Sequence, residues 1–170
     1  MNLTAAEQPP TNAFRTRPAH AADLDAVNGV IERAIAHWPL PERVKRLSLP
    51  SYRYHAHDLI HLDLVVSEDD QNRLVGLAAW EPAHPRDLPA GRTGLLLHGL
   101  YVDPVYQRRG TGRRLLEAAT AAARTQGLDG VLVKAQADAH KFFEAQGLRR
   151  LPVEDPSRDY PHRFWLAINH

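Results

Sequence analysis

The apolar positions change period several times along the chain, and each change marks an element. Leu24, Val27, Ile31, Ala34, Ile35 and Trp38 recur at spacings of three and four, which predicts an amphipathic helix with Asp23 in its favoured first turn. Pro39 and Pro41 stop it. Glu42 to Leu47 reads as a short second helix with Pro41 at its first position. Phe14 to Pro18, ahead of both, makes a short first strand. Ser51 to His61 has no clear period and gathers Tyr52, Tyr54, His55, His57, Asp58 and His61. Leu62, Leu64 and Val66 then alternate with polar residues, Asp69 to Asn72 supplies a turn, and Leu74 to Trp80 is an apolar run. Those two segments predict an antiparallel hairpin.

Leu95 to Val102 is the longest strand-like run, and Gly99 inside it predicts a bulge or a close backbone approach. From Arg113 to Gln126 the helical period returns, with Leu115, Leu116, Ala119, Ala122 and Ala123 inward and Gly127 where a C-terminal cap belongs. Val131 to Val133 is wholly apolar, as expected of a parallel strand covered on both faces. Asp138 is placed to cap a last helix carrying Ala139, Phe142 and Phe143, with Gly147 at its end. Leu148 to Val153 and Phe164 to Ile168 read as the final strands, joined by the loop 154–163. The order is strand, helix, helix, three strands, helix, strand, helix, two strands. It predicts an α/β (α+β) domain with helices on the faces of a mixed sheet.

Composition narrows the function classes. A chain of 170 residues is one domain in length and can bury a core without staples. The lead-in 1–13 is poor in large apolar residues and is expected to be disordered, which leaves 14–170 as the domain. A net charge of +1 gives no support for bulk nucleic-acid binding. There is no cysteine, hence no disulfide, thiolate metal site or cysteine nucleophile. No signal-peptide pattern and no membrane-length apolar run is present, so a soluble cytoplasmic protein is expected.

One stretch carries chemistry. Gln107-Arg108-Arg109-Gly110-Thr111-Gly112 lies between the strand ending at Val102 and the helix from Arg113. A strand, a glycine-bearing turn and a helix aim free backbone N–H groups at one point, at the positive end of the helix dipole. That is a site for a diphosphate or another anion. The spacing matches neither the triphosphate loop Gly-x-x-x-x-Gly-Lys-Ser/Thr nor the dinucleotide motif Gly-x-Gly-x-x-Gly.

Tyr101-Val102-Asp103-Pro104 followed by Gln107-x-x-Gly110-x-Gly112 resembles the Gln/Arg-x-x-Gly-x-Gly/Ala signature of the GNAT superfamily of acyl-CoA-dependent N-acyltransferases. Phe142-Phe143-Glu144-Ala145-Gln146-Gly147-Leu148 is similar to that family's Phe-Tyr-Glu-Lys-x-Gly-Phe segment. The resemblance implies a twisted, mostly antiparallel sheet of about seven strands with about four helices and a splayed central strand pair. It implies acetyl-CoA as co-substrate and an amine of a small molecule or peptide as acceptor. The pyrophosphate would sit on the N–H groups of Arg108 to Arg113, and the pantetheine would pair with Leu100, Tyr101 and Val102. Arg108, Arg109, Arg113 and Arg114 would set cations near the phosphates, and Phe142 or Phe143 would pack beside the pantetheine. A homodimer is compatible with this reading; nucleic acid, membrane and metal are not expected partners.

Acetylating an amine requires a neutral amine, a polarised carbonyl and a tolerated thiolate. His98 is the first choice for the base, Glu81 the second and His84 a distant third. Alternation puts His98 on the face of Leu100, where it reads equally as a structural histidine of a buried strand. A backbone N–H near Leu100 would polarise the carbonyl. Family members often carry tyrosine where Phe143 stands, and its hydroxyl would serve the leaving thiolate, so solvent or Tyr160 is left for that task. Trp38, Tyr52, Tyr54 and Tyr160 are the leading acceptor-pocket candidates, with His55, His57, Asp58 and His162 behind them. The rival reading is a non-catalytic acetyl-CoA sensor, in which Phe143 marks lost chemistry.

Overall fold

The computed structural model describes residues 13–169, so the lead-in lies outside the described residues save Ala13. Seven strands form one sheet in the order β1-β2-β3-β4-β5-β7-β6. They are β1 (Arg15–Pro18), β2 (Asp63–Glu68), β3 (Leu74–Pro82), β4 (Gly94–Val102), β5 (Gly130–Lys134), β6 (Arg149–Arg150) and β7 (Arg163–Ala167). The β4–β5 pair is parallel and every other pair antiparallel. The helices are α1 (Leu24–Ala36), α2 (Glu42–Tyr52), α3 (Asp58–His61), α4 (Thr111–Thr125) and α5 (His140–Ala145). Among the described residues no helix is long and apolar enough to cross a membrane.

Core clusters cover both faces of the sheet. On one face α4 and α5 bury Leu115, Leu116, Ala119, Ala123 and Phe143 against Leu95, Leu97, Val131 and Val133. On the other, α1 buries Val27, Val30, Ile31, Ala34 and Ile35 against Leu64, Val66, Leu77 and Tyr101. Ala122, expected inside, is only half-buried at the edge of its helix. Gly127 (φ 69°) and Gly147 (φ 87°) end α4 and α5 in the left-handed conformation. At the first of these, Leu128 N–H reaches back to Ala123 and Gly127 N–H to Arg124, which satisfies carbonyls the helix leaves free.

Several boundaries differ from the sequence reading. Helix α2 runs on through Pro50 to Tyr52, and Pro41 is its cap with an extended ψ of 141° rather than its first residue. Asp138 lies inside a 3-10 turn, Ala137–Ala139, and its side chain caps nothing. The expected strand from Leu148 to Val153 shrinks to Arg149–Arg150, because Pro152 brings no N–H to a ladder.

The bulge in β4 positions the site. Ala79 pairs with Gly99 and Trp80 with Leu97, so His98 is the inserted residue. One extra residue inverts the alternation. Leu95 and Leu97 face the α4 side, and beyond His98 that side receives Leu100 and Val102 while Tyr101 turns to α1. The simple alternation expected through His98 is thereby corrected: the chain kinks there, and His98 is exposed instead of buried. Past the kink the strands part. Gly94 to Leu97 pair with Gly130 to Val133, and His98 to Val102 have no partner on β5.

Candidate active site

The parting of β4 and β5 opens a cleft of about 810 Å³. Leu97 to Val102 form one wall and Val133 to Gln136 the other. Phe142 and Phe143 of α5 and Gln146 just after it close one side, and Trp38 and Tyr52 stand on another. At the end of the opening sits the loop before α4, with Gln107, Arg108, Gly110, Thr111, Gly112 and Arg113 on the cavity surface. A smaller cavity of about 260 Å³ adjoins it, lined by Ala34, His37, Trp38 and Asp138 together with Leu100 to Val102 and Gln107.

Tertiary bonds fix the loop. Asp103 accepts from Arg33 Nε at 2.7 Å and from Val105 N–H at 3.2 Å. The Tyr106 hydroxyl donates to Asp69 at 3.0 Å. Beyond these anchors the backbone enters the left-handed region twice, at Arg108 (φ 61°) and at Gly110 (φ 82°), which caps α4. Helix geometry leaves the N–H groups of Gly110 to Arg113 without intrahelical acceptors. Arg114 N–H makes the first such bond, to Gly110 at 3.1 Å. The α4 terminus is held close to its neighbours. A Cβ on Gly76 of β3 would lie 3.2 Å from Thr111 and 3.1 Å from Leu115, and one on Gly112 would lie 3.2 Å from Phe142.

This cradle suits an anion such as a diphosphate. The helix dipole, the free N–H groups and the Arg108 and Arg113 guanidinium groups favour an anion. Thr111 lines the cavity, and its buried hydroxyl has no partner among the described residues. An open strand edge beside Leu100 to Val102 leaves alternate backbone groups for a chain-like ligand to bond.

The sequence-selected residues separate into groups. Leu100, Tyr101, Val102, Gln107, Arg108, Gly110, Thr111, Gly112, Arg113, Phe142 and Phe143 all line the large cleft, as do Trp38, Tyr52 and His98. Arg109 turns back over the Tyr106 ring, 5.4 Å from its centroid. Arg114 stands near the Phe14 ring at 6.0 Å. Glu81 is half-buried opposite Leu96 on β3 and lines neither cavity. His84 caps a 3-10 turn in the following loop by accepting from Arg86 N–H at 3.2 Å. Tyr160 also lies off the cleft wall; its hydroxyl donates to the carbonyl of Ala135 at 2.8 Å and so supports a residue that does line it. Tyr54 is buried, and its hydroxyl meets His98 Nδ1 at 2.9 Å. Burial pushes the phenol's pKa well above its ordinary value.

Residues outside the sequence reading complete the site. Val133 to Gln136 come from the end of a strand that looked purely structural and the two residues after it, and Gln136 Nε2 donates to the Tyr52 hydroxyl at 3.3 Å across the cleft. Asp138 lines both cavities. His57 and His61 face each other at 4.6 Å, but no cluster of three or more potential metal ligands forms among the described residues.

A half-open sheet that ends on an anion cradle suits a long, anion-ended ligand in extended form. The profile of the GNAT acetyltransferase family matches residues 32–148, and the chain belongs to that family. Comparison with curated proteins gives no match. Solved structures share the fold. The PaiA N-acetyltransferase of Thermoplasma acidophilum, in complex with coenzyme A, superposes with a TM-score of 0.69 at 13% identity, over 92% of this chain and 99% of that one. A GNAT acetyltransferase of Brucella melitensis, in complex with acetyl-CoA, gives 0.63 at 17% identity, over 94% and 90%. A GCN5-related glucosamine N-acetyltransferase region of a fungal multi-domain β-N-acetylglucosaminidase gives 0.60 at 24% identity; it covers 89% of this chain, which spans 18% of that protein.

Proposed function

We propose that the protein transfers an acetyl group from acetyl-CoA to a primary amine of a small molecule or peptide, by direct attack with both substrates bound. The observation that carries this reading is the opening between β4 and β5, which runs straight into the free N–H groups of α4. Acetyl-CoA supplies the activated thioester. The first turn of α4, with Arg108 and Arg113, holds its diphosphate, and the edge of Leu100 to Val102 pairs with its pantetheine arm. A backbone N–H near Leu100 polarises the thioester carbonyl. The amine enters from the side of Trp38 and Tyr52, whose rings meet edge to face at 5.3 Å. Of the two leading proton-transfer candidates read from sequence, His98 alone lines the cavity. With no cysteine in the chain, direct attack needs no thiol acyl carrier.

Calorimetric titration with acetyl-CoA, followed by a free-thiol release assay over a panel of amines, tests the proposal. Binding with amine-dependent thiol release is expected. No binding at millimolar acetyl-CoA overturns the assignment. Binding without release on any amine turns the protein into an acetyl-CoA sensor, the reading that Phe143 in place of a tyrosine favours.

A further inference from the structure

We infer that Tyr54 fixes His98 in the tautomer with its proton on Nε2, so that His98 acts as a hydrogen-bond donor to the departing sulfur rather than as a base. This rests on the reading of the cleft as an acetyl-CoA site. The Tyr54 hydroxyl lies 2.9 Å from His98 Nδ1 and has no other partner among the described residues. Tyr54 is only 3% exposed. A buried O–H without an acceptor costs about 1–3 kcal/mol. If Nδ1 donated to the phenol oxygen, the phenol hydrogen would be stranded in that way. Donation from Tyr54 to Nδ1 strands nothing. A neutral imidazole that accepts at Nδ1 carries its proton on Nε2. Nε2 has no partner among the described residues, and His98 is exposed on the cavity wall.

The surroundings fix this contact. Asn28 of α1 clamps the Tyr54 backbone on both sides, donating to its carbonyl at 2.8 Å and accepting from its N–H at 2.9 Å. Gly99 leaves the space the hydroxyl fills, since a Cβ there would lie 2.5 Å from the phenol oxygen. Burial raises the phenol's pKa, which keeps Tyr54 a donor across the working pH range. On the facing wall Val133, Ala135, Phe142 and Phe143 are apolar, Lys134 is engaged with Asp87 and Gln136 with the Tyr52 hydroxyl. On the β4 side His98 offers an N–H to the cavity.

The chemistry balances without a proton leaving His98. The amine lone pair forms the new C–N bond. The C–S bond breaks, and its electron pair stays on sulfur. Nitrogen loses one proton to solvent and sulfur gains one from it, giving amide and free coenzyme A. The Nε2–H group stabilises the charge that develops on sulfur. Tyr54 is the positioning residue in this arrangement.

Imidazole nitrogen NMR of the ligand-free protein tests the tautomer directly. His98 Nδ1 is expected to resonate as the unprotonated nitrogen, and Tyr54→Phe to populate both tautomers. Steady-state kinetics test the role. Tyr54→Phe should cut kcat about tenfold, on the order of one hydrogen bond, with KM for acetyl-CoA unchanged. His98→Gln keeps an N–H donor but cannot act as a base, so it should retain more turnover than His98→Ala. A proton on Nδ1 in the unmodified protein, or equal loss in the Gln and Ala variants, overturns the inference. Failure of the unmodified protein to bind acetyl-CoA overturns the reading of the cleft and the role at sulfur with it, and the NMR result distinguishes that failure from a wrong tautomer.

Discussion

The two sides of the cleft are made of different material. The side proposed for the donor consists largely of backbone: the unpaired edge of β4, the left-handed Arg108 and Gly110, and the first turn of α4. The side proposed for the acceptor consists of side chains, with Trp38, Tyr52 and Asp138 carried on segments that share no strand. A site made of backbone tolerates changes of side chain but is sensitive to any added bulk. A site made of side chains behaves in the opposite way, and its specificity can change without disturbing the fold.

The contrast can be broken most strongly from below. Leu115 has no exposed surface and packs under the α4 terminus against Gly76. Leu115→Ala should lower unfolding stability by about 3 kcal/mol in urea titration. The folded fraction should still bind acetyl-CoA, since the substitution adds nothing to the cradle. Next comes bulk at the cradle itself. Gly112→Val places new carbons against Phe142 and over the free N–H groups, and should weaken acetyl-CoA binding at least about 100-fold, or about 2.7 kcal/mol, with circular dichroism unchanged. On the acceptor side, Trp38→Ala should raise the amine KM about tenfold while acetyl-CoA affinity changes by no more than about twofold. Equal losses for both substrates would erase the distinction between the walls.

The smallest effect concerns pH and the last loop. The Asp155 N–H, with the Arg158 guanidinium and the Glu154 N–H after it, holds the Asp159 carboxyl down at about 2. The unfolded chain has an ordinary value of about 3.9. Asp159 therefore contributes stability in full above that value and loses it as pH falls toward 2. Asp159→Asn should be less stable than the unmodified protein at pH 7, and the gap should narrow in urea titrations below about pH 4. Acetyl-CoA affinity at pH 7 should not change, because the loop lies off the donor side.

The same division explains what the sequence could say. Gly99, Gly110, Gly112, Gly127 and Gly147 each mark a backbone event, and a glycine is visible without knowing its neighbours. The ends of the helices and the anion loop were legible for that reason. Arg108 adopts a positive φ with no glycine to announce it. The single turn of α3 is too short to show a period. Glu81 was chosen for its place at the end of the strand before β4; it pairs with Leu96 and lines neither cavity. The contact of Tyr54 with His98 joins residues 44 positions apart, and no local pattern encodes a pairing made by tertiary packing. Asp138 was read as a helix cap, and its place between two cavities follows only from the docking of α5.

The parted strands have one more consequence. A sheet ordinarily has two borders, and chains blunt them because unpaired strands recruit other strands. This sheet has a third, internal border along His98 to Val102. Trp38, Tyr52 and Phe142 line its approach, which favours a slender chain over a neighbouring polypeptide with full side chains. The protein thus keeps a self-association hazard in its interior and turns it into a selective slot. Amide hydrogen exchange at Leu100 to Val102 should slow when the slot is filled, even if no atom of the fold moves.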